Sequence, residues 1–318
     1  MPTQTKINVS LVQHDCNNDR NANLQKSIDG ITAAAKQGAQ LVCLQELHSS
    51  LYFCQEENIR NFDLAEKIPG QTTDLLQTVA RDNHVVIVAS IFEHRASGLY
   101  HNTAVVIDSD GQIAGRYRKM HIPDDPGYYE KFYFAPGDLG FTPVNTSLGK
   151  LGVLICWDQW FPEAARLMTL AGAELLLYPT AIGWDQQDSQ DEQLRQLDAW
   201  QIVQRGHAIA NGIPIVVCNR TGFEKYPADD NTGIDFWGSS FICGPQGEML
   251  AQAAPDKTET ISATINLAQV ENVRRTWPFL RDRRIDAYDN INQRYLDSYL
   301  EQAEKEYPPE DKKQADEQ

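Results

Sequence analysis

Residues 6–46 read KINVSLVQHDCNNDRNANLQKSIDGITAAAKQGAQLVCLQE, and this stretch decides the fold class. Its two ends, 6–13 and 40–45, are apolar runs with the length and composition of buried strands. Between them, from Asn21 to Lys36, apolar and small residues recur at helical spacing, and Gly38 ends the helix. A strand, a helix and a strand make a βαβ unit, so the two strands are predicted to be parallel neighbours in one sheet.

The rest of the chain repeats this alternation of strands and helices. Helices are predicted at 71–83, 162–171, 190–210 and 267–276, and strands at 84–92, 101–108, 141–155 (a hairpin), 173–178, 213–218, 236–243 and 258–265. Strands that are apolar on both sides need cover on both faces of their sheet. Two sheets packed face to face with helices outside provide that cover, so we predict an α/β fold with a four-layer αββα sandwich. A three-layer doubly wound fold is the alternative, because periodicity does not separate the two.

One domain is predicted over residues 1–300, followed by a tail at 301–318. An α/β domain can reach this length as a single unit. The tail is polar and charged and contains Pro308 and Pro309. That composition is typical of segments that bury too little apolar surface to become ordered.

The charge and hydropathy of the 318-residue chain exclude several classes of protein. A formal net charge of −16 argues against a nucleic-acid binder, because phosphate contacts need a basic surface. The first residues lack the basic segment and apolar run of a secretory signal. No stretch approaches the roughly 18 consecutive apolar residues of a membrane span. We therefore expect a cytoplasmic protein that binds neither nucleic acid nor membranes.

The cysteines do not indicate a metal site or a redox pair. Six of them are dispersed along the chain, at positions 16, 43, 54, 156, 218 and 243. No two have Cys-x-x-Cys spacing, and no cluster of histidines and carboxylates has the spacing of metal ligands. Dispersed free thiols fit a reducing compartment. We expect no metal and no other cofactor.

Three polar residues follow apolar strands, where α/β folds place their ligands. Cys156 ends the strand LGVLI and precedes a helix, an elbow that exposes a nucleophile and places a helix N-terminus beside its thiolate. Glu46 ends the strand QLVCLQ, and Lys119 follows a strand and opens a Pro-rich loop. Each has an ordinary alternative, namely a buried structural cysteine, a carboxylate facing water and a surface lysine. Position alone leaves both interpretations open.

Three motifs considered together resemble the nitrilase superfamily, the carbon–nitrogen hydrolases. The motifs are LVCLQEL around Glu46, YRKMHIP around Lys119 and GVLICWDQWFPEAARL around Cys156. They stand in the order and at the spacing of the Glu–Lys–Cys triad of that family, and the resemblance covers nearly the whole chain. It implies the αββα sandwich, hydrolysis of a non-peptide C–N bond and assembly into a homo-oligomer.

The resemblance also implies a role for each residue. Cys156 is the expected nucleophile, Glu46 the expected proton shuttle and Lys119 the expected cation that stabilises the oxyanion. Glu130, in GYYEKFYF, matches a family position that orients the substrate and the lysine. Its alternative is an ion pair with Lys131 on the loop surface. A Cys–His pair involving His121 is the rival mechanism for the thiol.

Within the superfamily, segments 121–138, 152–167 and 175–184 resemble the branch that hydrolyses N-carbamoylputrescine to putrescine, ammonia and carbon dioxide. The distal end of that substrate is an ammonium, which needs an acidic or aromatic wall. The candidate wall residues are Tyr52, Asp125, Tyr128, Tyr129, Trp157, Trp184 and Asp235. For Trp160 and Phe161 core packing is preferred.

Other functions remain open at this stage. A carbamoyl amino acid would need an arginine clamp, and no arginine stands near Cys156 before Arg166, although Arg205 and Arg220 are further candidates. Hydrolysis of another carbamoyl amine or of an ω-amide is a second reading within the family. A catalytically inactive binding scaffold is a third reading, from another class of protein.

Overall fold

The predicted βαβ unit opens the first of two large sheets. The computed structural model describes residues 5–226 and 229–296. Its strands are β1 (Lys6–Gln13), β2 (Leu41–Leu44), β3 (Val86–Ala96), β4 (Leu99–Ile107), β5 (Ile113–Arg118), β6 (Val144–Thr146), β7 (Gly149–Val153), β8 (Leu175–Pro179), β9 (Gly183–Asp185), β10 (Ile215–Cys218), β11 (Thr221–Tyr226), β12 (Asp229–Trp237), β13 (Phe241–Cys243), β14 (Met249–Gln252) and β15 (Glu259–Asn266). Its helices are α1 (Arg20–Lys36), α2 (Gln71–Asn83), α3 (Glu130–Tyr133), α4 (Pro162–Leu170), α5 (Gln190–Asn211) and α6 (Leu267–Thr276).

Each large sheet has six strands. The first has the order β15-β1-β2-β3-β4-β5 and the second the order β14-β13-β10-β8-β7-β6. β1 and β2 pair in parallel, with Val9 opposite Leu41, as the βαβ pattern predicts. β7, β8 and β10 are also parallel neighbours. Each sheet thus has a parallel centre, and β15, from near the end of the described chain, returns to pair with β1 of the first sheet.

The two large sheets pack face to face. Val9 and Leu11 of β1 belong to the same buried cluster as Leu177 of β8 and Val217 of β10. These side chains are fully buried, and burial of each one stabilises the fold by about 1.5–3 kcal/mol. The apolar runs that suggested strands covered on both sides therefore form the interface between the sheets.

Helices cover the outer face of each sheet. Ile31 of α1 and Leu76 of α2 pack with Val42 and Ile87 on the far side of the first sheet. On the second sheet, α4 and α5 supply the cover through residues such as Met168 and Ala208. The predicted αββα sandwich is confirmed, and the three-layer alternative is wrong, because the inner faces are covered by each other rather than by helices.

A third, small sheet was missed by the sequence patterns. It has the order β11-β12-β9. The predicted strand 236–243 is in fact two strands in two different sheets. They are separated by Gly238 and Ser239, whose φ angles are +46° and +53°. Two consecutive left-handed residues turn the chain out of one sheet and into the other, and a count of apolar residues does not register that turn.

The chain divides into two compact units, 1–277 and 278–318. In the second unit, the described part contains two short 3₁₀ turns, Ile285–Ala287 and Asp289–Asn292. The tail predicted at 301–318 lies outside the described residues, and the single domain at 1–300 stays a prediction. Within residues 5–226 and 229–296, no helix combines the length and hydropathy needed to cross a bilayer.

Candidate active site

Strand direction brings Glu46 and Lys119 to one edge of the first sheet. β3 is parallel to β2, β4 is antiparallel to β3, and β5 is antiparallel to β4. β2 and β5 therefore run in the same direction and end at the same edge. Glu46 follows β2 and Lys119 follows β5, and their Oε1 and Nζ atoms are 2.8 Å apart. Both side chains are fully buried, so Lys119 is not a surface lysine.

Lys119 lies between two carboxylates. Its Nζ donates to Glu46 Oε1 at 2.8 Å and to Glu130 Oε2 at 2.6 Å. Burial by itself would lower the pKa of the Lys119 ammonium, but the charges of Glu130 and Glu46 outweigh it and raise that pKa well above its usual range. The two carboxylates therefore favour the charged form of this buried lysine.

Glu130 opens α3 and is fully buried, where it pairs with Lys119. Tyr52 donates its hydroxyl hydrogen bond to Glu130 Oε1 at 2.7 Å. Burial raises the pKa of Glu130 to about 7, although Lys119 opposes the rise. The carboxyl group of Glu130 therefore titrates near neutral pH.

The two carboxylate oxygens of Glu46 differ in their hydrogen bonding. Oε1 accepts from Lys119 and also from Asn102 Nδ2 at 2.7 Å. Ser90 Oγ donates to Asn102 Oδ1 at 2.8 Å, which fixes the orientation of that amide. Glu46 Oε2 has no hydrogen-bond partner in the described part of the chain. A buried, unpartnered carboxylate oxygen is available to accept a proton.

Cys156 stands at a sharp corner of the backbone. Its φ angle is +42°, rare for a residue with a Cβ, and a 3₁₀ turn (Cys156–Trp160) begins there before α4. Burial raises the pKa of the Cys156 thiol well above its usual range, and Glu46 adds to the rise. We had expected the helix N-terminus to favour a thiolate. Burial, with the charge of Glu46 added, outweighs that effect, so the thiol needs a base to become a nucleophile.

His121 pairs with Asp158 rather than with the thiol. Its Nδ1 lies 2.7 Å from Asp158 Oδ1, and its ring stacks on Phe161 with centroids 3.8 Å apart. Asp158 also accepts hydrogen bonds from Tyr117 OH at 2.8 Å and Ile155 N at 2.9 Å. The buried Asp158 thus ties the loop after Lys119 to the corner at Cys156. The geometry does not provide a Cys–His pair with His121.

A cavity of about 400 Å³ reaches Cys156. It is lined by Pro123, Asp125, Pro126, Tyr128, Cys156, Trp157, Trp160, Ala181, Ile182, Gly183, Asp185, Asp188, Gln196, Ala199 and Trp237. Three of these residues are carboxylates, and the described lining contains no lysine, arginine or histidine. The wall is therefore aromatic and acidic, which suits a cationic ligand.

The predicted wall residues separate into two groups. Asp125, Tyr128 and Trp157 line the cavity. The other four lie outside its lining, and three of them have other contacts: Tyr52 bonds Glu130, the indole N–H of Trp184 donates to Gln193 O at 3.0 Å, and Asp235 lies opposite Trp184 in the small sheet. The fourth, Tyr129, donates its backbone N–H to Cys54 O at 2.9 Å.

Sequence reasoning missed several lining residues. Asp185 directly follows the PTAIGW stretch, so its position in the motif could have identified it. Trp160 packs against the core, as predicted, and it also lines the cavity. Trp237 and Asp188 come from segments with no motif, so only the fold brings them to the cavity. Over the described residues, no group of three or more His, Cys, Asp or Glu side chains is arranged to hold a metal ion.

Comparisons with known proteins agree with this geometry. The family model for carbon–nitrogen hydrolases matches residues 8–275. The N-carbamoylputrescine amidase of Solanum lycopersicum is 43% identical over 284 residues, covering 89% of this chain and 93% of that protein. A citrullinase of Francisella tularensis is 43% identical over 294 residues, covering 91% and 99%.

Solved structures show the same relationship. A carbon–nitrogen hydrolase from Helicobacter pylori superposes with a TM-score of 0.89 at 51% identity, covering 92% of this chain and 100% of that one. The family match extends over most of the chain, and both curated relatives are aligned over almost their full length. The chain therefore belongs to the carbon–nitrogen hydrolases of the nitrilase superfamily.

Proposed function

We propose that this enzyme hydrolyses N-carbamoylputrescine to putrescine, ammonia and carbon dioxide, a reaction that would supply polyamine synthesis. One observation carries the proposal: the cavity that reaches Cys156 is lined by three carboxylates and, in its described part, by no basic residue. The substrate would enter with its ureido group toward Cys156 and its ammonium toward the acidic wall. The relative from Solanum lycopersicum acts on this compound by its name.

In the first half-reaction, Cys156 attacks the ureido carbon. Glu46 takes the thiol proton, for which its unpartnered Oε2 is available. The carbonyl oxygen becomes an oxyanion that Lys119 and a backbone N–H beside Cys156 stabilise. Glu46 then gives its proton to the amino group that leaves as ammonia. The sulfur is left bonded to the carbonyl carbon, with the putrescine nitrogen still attached.

In the second half-reaction, water replaces the sulfur. Glu46 takes a proton from the water, whose oxygen attacks the same carbon, and Lys119 again stabilises the oxyanion. The C–S bond breaks and Cys156 regains its proton from Glu46. The carbamate that leaves then breaks down to putrescine and carbon dioxide. Every step uses the same base and the same cation, which the short contact between them keeps in place.

The distal ammonium would bind between carboxylates and indoles. Asp185 is the last residue of β9, Asp188 follows that strand, and Asp125 lies on the loop after Lys119. Trp157 offers an aromatic face from the corner at Cys156. An ammonium that loses water on binding recovers its stabilisation from such charges and ring faces.

Citrulline is the second candidate. It carries the same ureido group, and a citrullinase is as similar to this chain as the putrescine-forming relative. The indole Nε1 atoms of Trp160 and Trp237 are buried and have no acceptor among the described residues. Both indoles line the cavity, where they could donate to a carboxylate. The candidate clamps Arg205 and Arg220 do not line the cavity.

Ammonia release from three ureido compounds tests the proposal. We expect kcat/KM for N-carbamoylputrescine to exceed that for N-carbamoyl-β-alanine by more than tenfold, about 1.4 kcal/mol, because the latter brings a carboxylate to an acidic wall. Citrulline, with both charges, should fall between them. Preference for citrulline would move the assignment to the second candidate. Preference for N-carbamoyl-β-alanine would refute the diamine proposal.

The pH profile tests the role of Glu130. Its pKa of about 7 places the loss of its charge at neutral pH. When Glu130 is protonated, Lys119 pairs with Glu46 alone and makes it a weaker base, so kcat/KM should fall as the pH decreases below about 7. Glu130→Gln resembles the protonated form and should give a lower, flatter profile between pH 6 and pH 8, a range of about one unit on each side of that pKa.

Exposed Glu271 provides the matched control for the pH experiment. It forms an ion pair on α6 with Arg275, and both side chains are largely exposed. Glu271→Gln should keep the wild-type profile. A fall in kcat/KM near pH 7 that survives in Glu130→Gln would assign the titration to another group.

The cytoplasmic location and the homo-oligomeric assembly stay predictions from the sequence.

A further inference from the structure

Both ends of the loop from Glu46 to Tyr52 contact the active site. Glu46 holds Lys119 at the start of the loop, and Tyr52 bonds Glu130, the other partner of that lysine, at its end. Leu47 has a φ angle of +50°, an uncommon conformation for a residue with a Cβ. The position of the catalytic carboxylate therefore depends on what holds this loop.

Arg220 binds the main chain of this loop. It lies two residues beyond Cys218, the last residue of β10, and is fully buried. Its Nη2 donates to Glu46 O at 2.8 Å and to Leu47 O at 3.0 Å, and its Nη1 donates to Ser50 O at 3.2 Å. One guanidinium thus binds three carbonyl oxygens of a single loop.

Glu224 binds both Arg220 and the backbone of the same loop. Its Oε1 accepts from Arg220 Nη1 at 2.6 Å, and its Oε2 accepts from the backbone N–H of Tyr52 at 2.6 Å. The guanidinium carbon of Arg220 also lies 5.9 Å from the centre of the Tyr52 ring and 5.2 Å from that of Phe236. Arginine and glutamate together bind both ends of the loop.

The Arg220–Glu224 ion pair is buried, and burial raises the pKa of the Glu224 carboxyl although Arg220 opposes the rise. Burial would lower the pKa of Arg220, but Glu224 outweighs it and the pKa is raised. The pair does not line the cavity at Cys156, so its charges are not available to a substrate there. A buried ion pair contributes little to stability compared with apolar packing of the same volume. Its contacts are instead directed at the loop that carries the base.

We propose that Arg220 is a positioning residue for the reaction and acts through the backbone of residues 46–52, with Glu224 as its anchor. The proposal rests on the roles proposed above for Glu46 and Glu130. The fork of the guanidinium fixes the carbonyls at the base of the Glu46 side chain, while Glu224 fixes the backbone of Tyr52. A displacement of about 1 Å in such a group can cost on the order of 10²-fold in rate.

Arg220→Lys and Glu224→Gln test the proposal. A lysine keeps the charge, but its single nitrogen does not reach three carbonyls and a carboxylate at once. We expect kcat for Arg220→Lys to fall between tenfold and about 10²-fold, with KM within about twofold of wild type, since the cavity lining is intact. Glu224→Gln keeps the shape of the pair and should show a smaller fall in kcat. This second variant tests the proposal if Arg220→Lys does not fold.

Leu76→Ala is the matched control for stability. Leu76 is fully buried on α2, on the far side of the first sheet, and its truncation should lower the unfolding temperature and leave kcat unchanged. Folded Arg220→Lys and Glu224→Gln enzymes with wild-type kcat would overturn the proposal. An equal loss of kcat in Leu76→Ala would also overturn it, because the effect would then follow general stability.

Alkylation of Cys156 by iodoacetamide gives a readout that does not depend on the substrate. The thiol needs Glu46 to lose its proton, so a displaced base should slow alkylation in Arg220→Lys, with the Cys156→Ala variant as the blank for the other thiols. If the wild-type enzyme hydrolyses none of the three ureido compounds, the proposed function fails. Slower alkylation would then still support the positioning role, and an unchanged rate would overturn it.

Discussion

Cys156→Ala is expected to lower kcat by at least about 10⁴-fold, the order of loss when a hydrolase loses its nucleophile. The sulfur is the atom that would bond the ureido carbon, and the described lining of the cavity contains no second thiol and no serine, threonine or lysine. The loss of folding stability should be small. Alanine keeps the Cβ at this corner of φ +42° and removes only one buried atom. Ammonia release and thermal unfolding measure the two effects separately.

Cys243→Ala is the matched control for the loss of a thiol. Cys243 is a fully buried free cysteine in β13 and belongs to the core between the layers. The same chemical change there should lower the unfolding temperature slightly and leave kcat within about twofold, since the site is untouched. Equal losses of kcat in both variants would mean that the loss in Cys156→Ala reflects packing, and Cys156 would lose its role as nucleophile.

Lys119→Met should lower kcat by at least 10²–10³-fold, about 3–4 kcal/mol, because it removes the cation that stabilises the oxyanion. It also leaves the carboxyl groups of Glu46 and Glu130 close together without a counter-charge. Like charges at this distance raise the pKa of at least one of the two groups. The variant should therefore lose stability as well, by about 3–5 kcal/mol.

The double variant Lys119→Met with Glu130→Gln separates chemistry from folding. It removes one of the two negative charges, so its unfolding temperature should recover toward that of wild type. Its kcat should stay as low as that of Lys119→Met, because the cation is still missing. Recovery of kcat to within tenfold of wild type would remove Lys119 from the chemistry and leave it a structural role only.

Much of the fold followed from apolar periodicity. The strand 6–13 and the helix that follows it are confirmed almost to the residue, because a buried strand and an amphipathic helix each impose a spacing on the sequence. The face-to-face packing followed from strands that are apolar on both sides. The small sheet did not follow: β11 and β12 contain glycines and charged residues, and β9 has only three residues.

The site was less accessible to sequence reasoning than the fold. Motif order located Glu46, Lys119 and Cys156, but it gave no distances and no directions. Tyr52 was expected at the substrate, whereas its hydroxyl bonds Glu130. Arg220 was considered as a clamp for a substrate carboxylate, whereas it binds the loop that carries the base. These contacts join residues 78 and 174 positions apart, so they depend on the assembled sandwich and no local pattern encodes them.

We expect catalysis to proceed through a covalent bond to Cys156. Wild-type enzyme is mixed with excess N-carbamoylputrescine and quenched in acid during turnover, and the intact mass is measured. We predict an increase equal to the substrate minus ammonia, located by peptide mapping on Cys156 and absent from Cys156→Ala. An increase that persists in Cys156→Ala, or that maps to another side chain, would contradict the account.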